Sequence, residues 1–307
     1  MKWIPIIGQF DITETGFVFA GGEMTYLGTL RGPAIGNIIS DKTFNNGSIE
    51  VDIEFEKFDE NSGAELIIAY DAETKAMLNA GILGTAQSPA TFNIREFNGQ
   101  TWTILAQNGL SAIKNKYSYN VKVNVIGSKI NFSVDNVKVC QATLEAPLVP
   151  SQLGLWASGH GKVTFKNYKL DSISAKAFVV MQFSEPYQEV YREVIKNVCN
   201  EFKIETIKAD EIYNNGLILD DIIESIEESF LVIAEITERN PNVFYELGYA
   251  HALNKPTILL AKKGTGLPFD VSPYRVLFYE DSIAGKSRFE EALRRHLVAF
   301  MGYTFSQ

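Results

Sequence analysis

The hydrophobic period of this chain changes once, around Ser172-Ile173-Ser174, and no other feature limits so strongly what the chain can fold into. Before that point, from about residue 10, short runs alternate apolar and polar residues between turn signals, as expected of antiparallel sheet with one dry and one wet face. Ser48-Ile49-Glu50-Val51-Asp52-Ile53-Glu54-Phe55 sets Ile49, Val51, Ile53 and Phe55 on one face and the acids on the other. Residues 119–125 repeat the period, Gly127-Ser128 turns the chain into 129–134, and Asp135-Asn136 reverses it into 137–139, a meander of hairpins. Further strands are expected at 65–70, 77–82, 92–97, 102–106, 154–157 and 163–170. About ten short strands with one apolar face each imply two packed sheets, an all-β sandwich over residues 1–174.

After Ser174 the pattern becomes strand, helix, strand, helix. Ala177-Phe178-Val179-Val180-Met181-Gln182-Phe183 is an apolar run suited to a parallel strand covered on both faces. Val190, Val194, Ile195 and Val198 mark a helix, and 204–207 a second strand, followed by a polar loop at 209–216. Leu219, Ile222, Ile223 and Ile226 line one face of the next helix, with Asp220, Asp221, Glu224 and Glu228 on the others. Strands at 230–236, 256–261 and 275–279 and helices at 243–253 and 288–300 complete a five-stranded, doubly wound parallel sheet of flavodoxin-like type over 175–307.

Composition narrows the function classes. Only Cys140 and Cys199 occur among 307 residues, which excludes a disulfide scaffold and suits a reducing cytoplasm. His160, His251 and His296 show no ligand spacing, so no metal centre and no resident cofactor are expected. The net charge of −9 comes without a basic run longer than a pair, which disfavours nucleic acid as a partner. Residues 1–174 carry 14 Lys/Arg against 17 Asp/Glu and residues 175–307 carry 14 against 20, so the acidity concentrates in the α/β half. No stretch approaches the roughly 18 apolar residues of a membrane span, and Met1-Lys2-Trp3-Ile4-Pro5-Ile6-Ile7-Gly8 is too short for a secretory core, so a cytoplasmic location is expected.

The strand at Asn46-Gly47-Ser48-Ile49-Glu50-Val51, the hairpins of 117–139 and the closing Gln152-Leu153-Gly154-Leu155-Trp156 to Asn167 give the first half its resemblance to concanavalin-like jelly rolls of the laminin-G and sugar-hydrolase-associated type. That resemblance implies a carbohydrate or protein ligand and a sensor or assembly role. Glu50, Asp52, Glu54 and Glu56 read as a solvated strand face, while Trp102, Trp156 and Phe97 suit core packing better than a sugar-stacking platform.

In the second half, ligands are expected at the carboxyl ends of the strands. These ends carry Gln182-Phe183-Ser184, Lys208-Ala209-Asp210 and Thr237-Glu238-Arg239-Asn240-Pro241-Asn242. The phosphate loops G-x-x-x-x-G-K-[ST] and G-x-G-x-x-G are missing, and a phospho-receiver domain would want adjacent acids at Gln182-Phe183-Ser184. Asn240 as N-cap, with Pro241 in the first turn, opens a helix that Asn254 closes. Between the caps the helix is apolar nearly all round, with Gly248, Ala250 and Ala252 small enough for close packing, and Glu246 is its one acid. A carboxylate in such a helix needs a partner or a task.

The run N-P-N-V-F-Y-E-L-G-Y-A-H-A-L, with the upstream acid pair and the I-A-E-I-T strand end, resembles the nucleoside 2-deoxyribosyltransferase and deoxynucleotide N-hydrolase group and its TIR-like relatives, over about 178–260. The resemblance implies that Glu246 acts at the ribose, that Asp220 or Asp221 assists the departing base, and that an N-glycosidic bond of NAD or a related nucleotide is the substrate. It also implies a homo-oligomer, and the fused architecture suits a bacterial defence effector. Alternatives from the same residues are a nucleoside 2-deoxyribosyltransferase and a nucleotide-binding signalling module without catalysis. Gln182, Ser184, Asp210, Thr237, Asn240 and Asn242 are candidate contacts to sugar hydroxyls or phosphate, and Phe183 and Tyr187 candidate base stackers. His251 reads as a packed or surface residue.

Overall fold

The computed structural model describes residues 1–26, 30–86, 90–109, 112–209, 218–271 and 273–300. The chain divides into two compact units, the described part of the first running from Met1 to Ile173 and the second beginning at Ser174.

Among the described residues the first unit has fifteen strands, five more than the period-two pattern announces. The extra ones come first: β1 (Trp3–Ile7), β2 (Phe10–Thr13), β3 (Gly16–Phe19), β4 (Glu23–Tyr26) and the long β5 (Leu30–Phe44). Pro5, Gly32, Pro33 and Gly36 interrupt their pattern, and β5 is buried on both faces from Asn37 to Ser40, so alternation is invisible there. The strands that follow lie where the alternation put them: β6 (Gly47–Phe55), β7 (Gly63–Tyr70), β8 (Met77–Leu83), β9 (Thr91–Phe97), β10 (Trp102–Gly109), β11 (Ser118–Ile126), β12 (Lys129–Val134), β13 (Val137–Thr143), β14 (Ser151–Gly159) and β15 (Val163–Ser172).

One sheet runs β1-β5-β14-β7-β8-β9-β10 with β4 also on β5, and the other runs β13-β12-β11-β6-β15-β3-β2. Ile38, Leu66, Leu78, Ile94 and Leu155 from the first sheet meet Ile49, Val51, Ile53, Val123, Phe132 and Phe165 from the second in one core, giving an all-β sandwich of two antiparallel sheets. The acids of β6 face outward. Asn120 Nδ2 donates to Glu50 Oε1 at 3.1 Å and Asp52 Oδ1 at 2.8 Å, and Lys169 pairs with Glu50 at 3.0 Å.

The second unit is a parallel sheet ordered β17-β16-β18-β19-β20, built from β16 (Ala175–Val180), β17 (Ile204–Lys208), β18 (Leu231–Glu235), β19 (Thr257–Lys262) and β20 (Val276–Tyr279). The first helix comprises α1 (Tyr187–Val190), a π turn (Tyr191–Ile195) and α2 (Lys196–Glu201). Its Tyr187, Tyr191, Val194, Ile195 and Val198 pack one face of the sheet together with Phe289, Leu293 and Leu297 of α5 (Ile283–Phe300). α3 (Ile218–Glu228) and α4 (Pro241–Ala252) cover the other face through Ile226, Val243, Leu247 and Ala250. α5 starts five residues before the expected position because Ser282 Oγ accepts from Gly285 N at 3.0 Å and caps a turn that is weak in helix formers.

Candidate functional site

The sheet order reverses at β16: the chain moves from β16 to β17 on one side and returns to β18 on the other. Ligand crevices in such sheets open where the two strands diverge, outside their carboxyl ends. The loops after β16 and β18 are tied together there. Asn240 Nδ2 donates to Gln182 Oε1 at 3.5 Å, Gln182 Nε2 donates to Ser184 Oγ at 3.0 Å, and Tyr187 Oη donates to Glu238 Oε1 at 3.0 Å. Gln182, Ser184 and Asn240 thus form one polar string across the crevice. Tyr187 is not a stacking ring: it is 6% exposed, buried in the α1 core, and only its hydroxyl reaches the crevice. Phe183, by contrast, is 48% exposed. Thr237 has its hydroxyl committed within the protein, donating to Glu235 and accepting from Lys262 N at 2.8 Å. Asp210 lies outside the described residues.

α4 begins as its sequence dictates. Asn240 is extended (φ −79°, ψ 119°), its side chain accepts from Asn242 N at 2.9 Å, and Pro241 fills the first helical position. The helix is not dry all round, however. Tyr245 is 56% exposed and Gly248 faces open space, so Gly248 is not a close-packing residue. Glu246 shares a flank with Asn242 and Tyr249, its neighbours at i−4 and i+3, and Tyr249 Oη donates to Glu227 Oε1 of α3 at 2.8 Å. The Glu246 flank therefore faces α3. The carboxyl is half-buried, has no hydrogen bond or ion pair among the described residues, and is pushed up to about 7 by that burial. Asp220 and Asp221 occupy the first turn of α3, and neither is hydrogen-bonded or ion-paired to Glu246. His251 is packed, stacked on Tyr274 with ring centroids 4.4 Å apart and 3.2 Å from Thr257 Oγ1.

Sequence reasoning missed Glu235 as a separate feature. It ends β18, is 2% exposed, and receives Thr237 N at 3.3 Å, the Thr237 hydroxyl and Tyr279 Oη at 3.0 Å. No ion pair reaches it among the described residues, and burial raises its carboxyl above the usual range. The phenols of Tyr187 and Tyr279 are pushed up as well, first by burial and then by the neighbouring carboxylates. An acid in the apolar run 230–236 was the available signal, but its partner Tyr279 lies 44 positions away. Tyr279 and Lys262 also line a cavity of about 380 Å³ with Val190, Val194 and Phe289 on the α1/α5 side, the side of the sheet opposite to Glu246.

In the first unit, Phe97, Trp102 and Trp156 cluster on the outward face of the β7–β8–β9 sheet. Their ring faces are already covered. The Arg95 guanidinium carbon lies 3.6 Å from the Trp102 centroid and 4.7 Å from that of Trp156, while Phe97 lies 5.0 Å from Trp102. Arg95 makes a bidentate pair with Glu65, Nε to Oε1 at 2.8 Å and Nη2 to Oε2 at 2.7 Å, and Asn79 Nδ2 adds a third donor at 2.8 Å.

No protein-family model matches the sequence, and no curated protein matches it. Among solved structures, the chain is similar to a carbohydrate binding module, CBM66, from Bacillus subtilis, at 18% identity and a TM-score of 0.43, covering 54% of this chain and 92% of that one. It is similar to a Bacillus subtilis protein with a galectin-like fold, at 14% identity and a TM-score of 0.40, covering 54% and 87%. The exoplasmic/lumenal domain of VIP36, in a Ca2+/Man3GlcNAc-bound form, is similar at 11% identity and a TM-score of 0.42, covering 61% and 87%.

Proposed function

We propose that the second unit is an N-glycosidase that cleaves the base–ribose bond of NAD or a related nucleotide, with Glu246 as the carboxyl at the reacting sugar carbon. The observation that carries this reading is a half-buried carboxyl without a partner among the described residues, on the helix that starts at the switch point. The resemblance of Asn240 to Leu253 to nucleoside deoxyribosyltransferases and TIR-like enzymes supports it.

The chemistry follows from charge. As the bond from the sugar carbon to the base nitrogen breaks, the electron pair leaves with the base and positive charge develops on the sugar. A carboxyl titrating near 7 is poised between its two forms at neutral pH, and an oxocarbenium-like centre draws it into the ionised one. The charge of Glu246 is then most favourable in the transition state. Water, or an acceptor base, completes the reaction at the sugar. Asp220 or Asp221 would protonate the base, a step that matters less for a good leaving group such as nicotinamide. The sandwich would serve as sensor or assembly module with a carbohydrate or protein ligand, and the enzyme would work as a homo-oligomer.

The test is mass-spectrometric product analysis of the full chain, over a range of protein concentrations, with NAD, nucleotides, and deoxynucleosides plus an acceptor base. Free base is the expected product, lost in Glu246→Gln with an unchanged circular dichroism spectrum. Base exchange would identify a deoxyribosyltransferase. Tight nucleotide binding without product at any concentration would overturn catalysis in favour of a signalling module.

A further inference from the structure

We propose that Glu238 reads the vicinal hydroxyls of a ribose in the switch-point crevice, so that the crevice selects ribonucleotides over 2′-deoxyribonucleotides. The proposal rests on the nucleotide reading above and supplies what that reading leaves open, the sugar of the substrate.

Four observations carry it. Glu238 stands in the loop between β18 and α4, exposed, two residues before the cap Asn240. Only Oε1 is bound, by Tyr187 Oη at 3.0 Å, and no second donor or cation reaches the carboxylate among the described residues. The donor comes from the opposite wall of the crevice and is anchored, since the Tyr187 ring is 6% exposed in the core. The nearest basic residue in the loop, Arg239, turns away to Gly266 O at 3.5 Å.

An ionised carboxylate is an acceptor with room for about four hydrogen bonds, so Oε2 and the rest of Oε1 remain for a ligand. The buried Glu235 ends the strand that feeds this loop, three residues before Glu238, and a pair of acids there disfavours phosphate at the same spot. Neighbouring hydroxyls are what two adjacent free acceptor positions suit. Nucleotide-binding parallel sheets meet ribose with an acidic side chain for the same reason. Here Tyr187 acts as a positioning residue, fixing the carboxylate so that a hydroxyl arriving in the crevice need not order it.

Discrimination should follow, because the analogue without the 2′-hydroxyl loses one of the two hydrogen bonds to the carboxylate. The experiment uses the full-length Glu246→Gln chain, so that ligand is not consumed, and titrates AMP and 2′-deoxy-AMP by calorimetry. AMP is expected to bind at least about tenfold more tightly. Adding Glu238→Ala should bring the ratio close to one by weakening AMP more than 2′-deoxy-AMP, which has only its 3′-hydroxyl to lose, and Tyr187→Phe should lower the ratio partway. Equal affinity for the two nucleotides, equal weakening of both by Glu238→Ala, or no binding of either would overturn the proposal. Failure of catalysis is read separately, as absence of free base from the unmutated chain, and leaves the affinity ratio interpretable.

Discussion

Glu65 in the sandwich and Glu246 in the α/β unit are both carboxyls placed among apolar neighbours, and the protein treats them in opposite ways. Glu65 is fully buried and fully answered, with a bidentate arginine and a carboxamide on its two oxygens. Glu246 is answered by nothing among the described residues, and the whole of its upward shift comes from burial. Glu235 lies between these cases, held by a threonine and a tyrosine but by no ion pair. A compensated charge fixes a structure. An uncompensated one is a standing cost that a folded chain keeps where the charge has work to do.

The comparison breaks most visibly at Glu65. Glu65→Ala leaves Arg95 without its counter-ion beneath two indoles and should cost about 3–5 kcal/mol in urea unfolding of the first unit. Combining it with Arg95→Met should restore much of the loss, since neither charge then remains. At Glu246 the sign reverses. Its folded titration near 7 lies above the usual 4.5, so the unfolded chain gives up the proton first and stability falls as pH rises through that window. Glu246→Gln removes the penalty. The variant should match the unmutated protein near pH 4 and be more stable above pH 7, by about 1–3 kcal/mol in denaturant titrations at the two pH values. A gain independent of pH would mean that the carboxyl is not held out of water.

Smaller effects sharpen the contrast. Asn240→Ala removes the α4 cap and should lower stability by about 1 kcal/mol, measured the same way. Lys169→Ala unpairs the water-facing Glu50, and a change below about 0.5 kcal/mol is expected, because solvent screens what protein does not.

The sequence carried the fold wherever a local period or cap was enough. Ile49, Val51 and Ile53 announced β6, and Asn240-Pro241 announced α4. It failed where burial on two faces erased the alternation, as in β5, and where glycine or proline broke it, as in β1. It overstated the apolar character of α4, because Tyr245 and Gly248 count as apolar in a pattern yet face water. At the site, Gln182, Ser184 and Asn240 were legible from strand ends and switch-point topology. Their mutual hydrogen bonds were not, nor were the Tyr187–Glu238 and Tyr279–Glu235 bonds across 51 and 44 positions, which only the folded sheet brings within reach.

The π turn in the first helix of the α/β unit bears on that crevice. Tyr187, Tyr191, Ile195 and Cys199 are all buried, each four residues from the next. On an ideal α-helix a four-residue step overshoots one turn by about 40°, so three steps would rotate the stripe by about 120° and carry one end of it off the sheet. The wider π turn takes up the excess and keeps both ends in phase. The helix thus works as a vernier, its lower half set by the core and its upper half by the phenol that holds Glu238. Regularised to ordinary α-helix with the same residues, this segment would turn the phenol away from the crevice by about 120°.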